Sequence, residues 1–123
     1  MNARGRILIV DDHVDLAENL AEILGLNGHQ CQIVDSAERA LAALHEGAFA
    51  GVITDLRLPG LSGLDLLDRL RDEGNSTPLI LISAFASDAV VARAQAAGAL
   101  GVLDKPVDLE RLQRLVAQVS SSR

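Results

Sequence analysis

Tryptophan and tyrosine are absent from this sequence, and Phe49 and Phe85 are its only aromatic residues. The core must therefore be aliphatic, built from Leu, Ile, Val and Ala. A single cysteine, Cys31, excludes an intrachain disulfide and suits a reducing compartment. In the alternating stretch Gln30-Cys31-Gln32-Ile33 it reads as a small buried apolar residue. No stretch approaches the ~18 apolar residues of a membrane span, and the start, Met1-Asn2-Ala3-Arg4-Gly5, is unlike a secretory signal. A cytoplasmic protein is expected, and Met1 favours a natural start. Positive charge is also short: 11 Lys and Arg stand against 17 Asp and Glu, for a net charge of −6. A basic face for nucleic acid phosphates is thus not expected, nor is a membrane partner.

What is present is 123 residues, 49% hydrophobic and 23% charged. That balance predicts one globular domain over residues 1–123, large enough to fold without disulfides or a structural metal. Its ordered core is expected over about residues 5–119, with Ser120 to Arg123 a tail or the start of a linker.

Short apolar runs alternate with helical periods. Ile7-Leu8-Ile9-Val10 is continuous, as in a parallel strand buried on both faces. Leu16, Leu20, Ile23 and Leu24 then follow a helical period that stops at Gly25 to Gly28. A second strand runs from Gln30 to Val34. Ser36 caps a helix carrying Ala37, Ala40, Leu41 and Leu44. Gly51 to Thr54 is the third strand, and the turn residues Leu58 to Gly63 precede a helix with Leu64, Leu67 and Leu70. Leu79 to Ile82 is the fourth strand. Ser87 or Asp88 caps an alanine-rich helix with Val90, Val91, Ala94 and Ala97. Leu100 to Leu103 is the fifth, and Asp108 caps a helix whose Leu109, Leu112, Val116 and Val119 share one side. This pattern predicts an α/β fold with a five-stranded parallel sheet covered by helices on both faces.

Polar residues gather just past the carboxyl ends of the strands: Asp11 and Asp12 after the first, Asp55 after the third, Ser83 after the fourth and Lys105 after the fifth. With strand order 2-1-3-4-5 the three aspartates share one crevice. Three carboxylates there are unfavourable unless one is protonated or a cation is present, and hard oxygen ligands suit Mg²⁺. A cation would also offset the repulsion between an aspartate nucleophile and an anionic phosphoryl donor. Phosphoryl transfer needs charge stabilisation on three equatorial oxygens, which Mg²⁺, the Lys105 ammonium and the Ser83 hydroxyl could share. Taken singly, each of these residues reads as an ordinary loop or surface residue; their joint placement points to an aspartyl-phosphate site.

The stretches ILIVDDH (7–13), ITDLRLPGLSGLDLL (53–67), LILISAF (79–85) and AAGALGVLDKP (96–106) resemble the response regulator receiver family over nearly the whole chain. The resemblance implies a flavodoxin-like, doubly wound sheet and a signalling domain rather than an enzyme, catalysing only its own phosphorylation and dephosphorylation. It implies that Asp55 is phosphorylated by a histidine kinase, a phosphotransfer protein or a small phosphodonor. It makes Asp12 the direct metal ligand, with Asp11 acting through water and Asp55 and the Arg57 carbonyl completing the Mg²⁺ (or Mn²⁺) site. Ser83 becomes the switch hydroxyl and Lys105 the phosphate-binding lysine with no part in the core. A cis peptide is expected at Lys105-Pro106. Output would pass through the face of helix 4, strand 5 and helix 5. One departure stands out: Val102 occupies the usual Tyr or Phe position of the aromatic switch, and Val107 replaces a frequent Phe. Two other functions remain as alternatives. One is a non-phosphorylated interaction module; the other is an aspartyl-phosphate phosphatase, disfavoured by Arg57 where a second acid is common. Flavin binding is disfavoured because no Ser/Thr/Gly-rich loop follows the first strand.

Overall fold

Five parallel strands in the order β2-β1-β3-β4-β5 form the central layer of the computed structural model, which describes residues 5–121. In chain order the elements are β1 (Arg6–Val10), α1 (Val14–Leu26), β2 (Gln30–Val34), α2 (Ala37–Glu46) and β3 (Gly51–Asp55). They continue with α3 (Gly63–Asp72), β4 (Leu79–Ser83), α4 (Asp88–Ala96), β5 (Gly101–Asp104) and α5 (Leu109–Ser121). Asp55 and Ser83 close β3 and β4 rather than following them, and α5 runs two residues into the stretch read as a tail. Ser122 and Arg123 lie outside the described residues, as do Met1 to Arg4. The fold is the flavodoxin-like one expected.

Continuous apolar strands still sort their side chains by face, because successive residues of a strand point to opposite sides. Leu8, Val10, Val52, Leu79 and Leu81 pack on one side with α2, α3 and α4. Ile7, Ile9, Ile53, Ile80 and Ile82 pack on the other with α1 and α5. The register aligns Ile33, Ile9, Ile53 and Ile80 in one row across four strands. Each fully buried Leu or Ile contributes about 1.5–3 kcal/mol, so these two aliphatic layers replace the missing aromatic core.

Most helix starts follow the expected caps. Ser36 Oγ accepts from Arg39 N–H (3.1 Å), Ser87 Oγ from Val90 N–H (3.3 Å) and Asp108 Oδ1 from Arg111 N–H (3.2 Å). At α3 Ser62 and Asp65 form a reciprocal capping box, and the Ser62 N–H holds the Asp65 carboxyl below its ordinary pKa. Burial adds three local details. Leu109, the first residue of α5, is 40% exposed, while Leu112, Val116 and Val119 of the same helix are buried. Cys31 is only half-buried, since β2 is an edge strand, and that burial raises its thiol pKa. In α1 Ala17 is fully buried, while Leu16 and Ile23 are half-buried.

Arg71 has no counterpart in the sequence reading. Its guanidinium donates from Nε to Ala97 O (3.1 Å) and from Nη2 to Gly98 O (3.2 Å). Its Nη1 donates to Asn75 O (2.9 Å) and Thr77 O (3.1 Å). One cation thus satisfies carbonyls left over at the end of α4 and ties them to the turn that enters β4.

Candidate functional site

The crossovers from β1 and β3 leave the sheet on opposite faces, α1 to the isoleucine side and α3 to the leucine side. Between adjacent parallel strands this opens a crevice at their carboxyl ends. Ladder hydrogen bonds continue past the strand ends and hold the crevice residues in place. Asp11 N–H donates to Val34 O (3.0 Å), Leu56 N–H to Ile82 O (2.8 Å) and Lys105 N–H to Ser83 O (2.9 Å).

Asp11 and Asp55 are 5% and 6% exposed, whereas Asp12 lies at the surface. A ligand atom from each of Asp11, Asp12, His13 and Asp55 lies within 4.8 Å of all the others. Oxygen donors this close repel one another in a half-dry crevice, and such an arrangement is stable when cations lie among them. One cation belongs to the chain itself. Lys105, from the other side of β3, places Nζ 2.9 Å from Asp55 Oδ2, with side-chain exposures of 24% and 6%. Asp55 Oδ1 accepts from Arg57 N–H at 3.3 Å, and Asp11 Oδ1 from His13 N–H at 2.9 Å. The cleft above Asp55 is lined by Asp12, Arg57, Leu58, Ala84 and Lys105 and opens to solvent.

Ser83 is buried, and its Oγ accepts from Phe85 N–H at 3.0 Å, closing the turn after β4. The hydroxyl proton remains available to donate. Val102 is half-buried, faces the layer containing α3 and α4, and stands opposite Leu81 in the register. The Lys105-Pro106 peptide is cis.

Two participants escaped the sequence reading. His13 lies inside the motif at 7–13, yet only the structure brings its imidazole to the carboxylates. Gly63, the first residue of α3, packs directly on the backbone of Asp55. A Cβ there would meet the Asp55 carbonyl oxygen at 2.5 Å and Leu81 Cδ1 at 2.8 Å. Backbone cannot yield as a flexible side chain can, so Gly63→Ala must push α3 away from the strand carrying Asp55. The expected cost is about 2 kcal/mol or more, read from urea or thermal unfolding, with altered amide shifts at Asp55 and Leu56. An unchanged midpoint and unchanged shifts would contradict this packing argument.

The model of the response regulator receiver domain matches residues 7–117. The chain is 38% identical over 107 residues to a response regulator receiver protein of Anaeromyxobacter sp., covering 87% of this chain and 45% of that protein. It is 37% identical over 113 residues to the response regulator protein FleR of Pseudomonas aeruginosa, covering 92% of this chain and 24% of FleR. The chain therefore spans less than half the length of these curated relatives. Among solved structures, the response regulator TrrA of Thermotoga maritima in complex with Mg(2+)-BeF superposes with a TM-score of 0.83 at 28% identity, over 93% of this chain and 97% of that one. The Francisella response regulator 1452 receiver domain matches in fold with a TM-score of 0.89 at 24% identity, over 94% and 96% of the two chains.

Proposed function

The chain belongs to the family of response regulator receiver domains, and from that premise we propose that Asp55 accepts a phosphoryl group in a cation-dependent transfer. The observation that carries this reading is the Asp55 carboxylate itself. It is clustered with Asp11 and Asp12, bonded to Lys105 at 2.9 Å, and lines a cleft open to a donor. The chemistry is that of an aspartate nucleophile whose two oxygens are held by Lys105 Nζ and Arg57 N–H. One carboxylate oxygen attacks phosphorus. The bond from phosphorus to the donor's nitrogen or oxygen breaks, and its electron pair leaves with the donor.

The donor set fits a hard divalent cation: Asp11, Asp12 and Asp55 supply carboxylate oxygens, and the family resemblance adds the Arg57 carbonyl. Mg²⁺ or Mn²⁺ there supplies charge neutralisation between the nucleophile and the anionic phosphoryl group. Lys105 follows the charge, moving its hydrogen bond from the carboxylate to a phosphoryl oxygen. Ser83 donates its hydroxyl proton to another, and small Ala84 leaves the approach open. A histidine kinase, phosphotransfer protein or small phosphodonor supplies the group, and a partner or output domain reads the α4–β5–α5 face.

Intact-mass measurement after incubation with acetyl phosphate and Mg²⁺ tests the reading. One phosphoryl adduct is expected, lost when the cation is chelated; no adduct under any donor and cation condition overturns it.

Switching should run through Ser83 without an aromatic rotamer. Phosphorylation adds about −1.5 to −2 charges and strong acceptor oxygens, and drawing the Ser83 hydroxyl toward them pulls on the turn that leads to α4. Val102 is β-branched and has little rotamer freedom, so it follows rather than leads. Amide shift changes on beryllofluoride addition should therefore shrink strongly in Ser83→Ala and little in Val102→Ala. Equal loss in both would contradict this route.

A further inference from the structure

His13 sits at the N-cap of α1, where Ser, Asn or Asp would satisfy a free helix N–H, yet its side chain makes no capping bond. A residue that breaks a local rule without serving it is a candidate for another task. The imidazole instead lies beside the acids, with Nδ1 3.4 Å from Asp11 Oδ1 and 3.5 Å from Asp12 Oδ1. Those separations are longer than the ~2.7–2.9 Å of a charge-assisted hydrogen bond, so ion pairing alone explains the arrangement poorly. They lie close to another geometry, the shorter at its upper edge and the longer just beyond it. Two ligands bound at about 2.1 Å to one ion, at angles between octahedral and tetrahedral, stand roughly 3.0–3.4 Å apart. The backbone turn that gives the His13 N–H to Asp11 Oδ1 also presents the ring on the same side.

We propose that His13 is a nitrogen ligand of the cation site and biases it toward nitrogen-accepting divalent transition ions, from Mn²⁺ to Zn²⁺, relative to Mg²⁺. The inference rests on the cation site proposed above and adds its selectivity. Carboxylate oxygens serve Mg²⁺ and Mn²⁺ alike, whereas an imidazole nitrogen strengthens binding mainly for the transition ions. Because His13 is exposed at the rim of the cleft, its replacement leaves the buried acids and the Lys105–Asp55 pair in place.

The test is equilibrium titration of the full chain with Mg²⁺ and with Ni²⁺, comparing wild type, His13→Ala, Asp12→Ala and, as a control for surface histidine, His45→Ala. His13→Ala should weaken Ni²⁺ binding about tenfold or more while changing Mg²⁺ binding less than about twofold. Pulsed electron paramagnetic resonance on bound Mn²⁺ should show nitrogen coupling in wild type that disappears in His13→Ala, although the ion remains bound. Ni²⁺ affinity and nitrogen coupling that both survive His13→Ala would overturn the proposal, as would loss of either in His45→Ala instead. Asp12→Ala separates the two readings. If it weakens both ions and His13→Ala weakens neither, only the selectivity inference fails; if Asp12→Ala weakens neither, the cation site itself fails.

Discussion

Asp55→Asn should yield a folded protein that takes up no phosphoryl group, the largest effect expected of any single change here. Asn keeps the shape of the side chain and an oxygen that can still accept from Lys105 Nζ, so the contact at 2.9 Å has a neutral substitute. It removes the anionic oxygen that would attack phosphorus. Intact mass after acetyl phosphate and Mg²⁺ should show one adduct on wild type and none on the mutant, with circular dichroism unchanged. Mg²⁺ binding should weaken as well, since one of three clustered carboxylates is gone. An adduct of equal size on the mutant would move the acceptor elsewhere, Asp11 and Asp12 being the neighbours to examine.

Lys105→Ala should both slow phosphorylation and destabilise the metal-free protein. The sequence suggests a lysine reserved for the phosphoryl group, with no part in the core. The structure gives it a second duty, because its ammonium is bonded to a carboxylate only 6% exposed. Breaking a fully buried pair by removing one partner costs about 3–5 kcal/mol; with Lys105 itself 24% exposed, water can replace part of the contact, and about 1–3 kcal/mol is expected. At about 4 °C per kcal/mol for a chain of this size, the melting temperature should fall visibly. Mg²⁺ should restore part of the loss by supplying another cation to the same acids. A metal-free melting temperature equal to wild type would show that the pair contributes nothing to the fold. An unchanged phosphorylation rate would remove Lys105 from the chemistry.

The strands and helices were legible in the chain because hydrophobic period is a local property. The short run Leu79 to Ile82, entered by Pro78, reads as a strand buried on both faces, and Ser36, Ser87 and Asp108 mark helix starts within one turn of themselves. The placement of Asp11, Asp12, Asp55, Ser83 and Lys105 at or just past strand ends was legible too, because each lies within two residues of an apolar run.

Their mutual distances were not. Lys105 and Asp55 are 50 residues apart in sequence, and only strand register and the crossover directions bring their atoms to 2.9 Å. The same holds for Gly63, whose missing Cβ matters only because α3 lands on the Asp55 carbonyl. Arg71 reaches the end of α4 across 26 residues, and His13 meets the acids through the turn geometry at the start of α1. The sequence by itself therefore determined which elements form and which residues end them, since these depend on neighbours within a few positions. Tertiary structure alone decided which groups share a cation, a carbonyl or a cleft, since that depends on how whole layers pack.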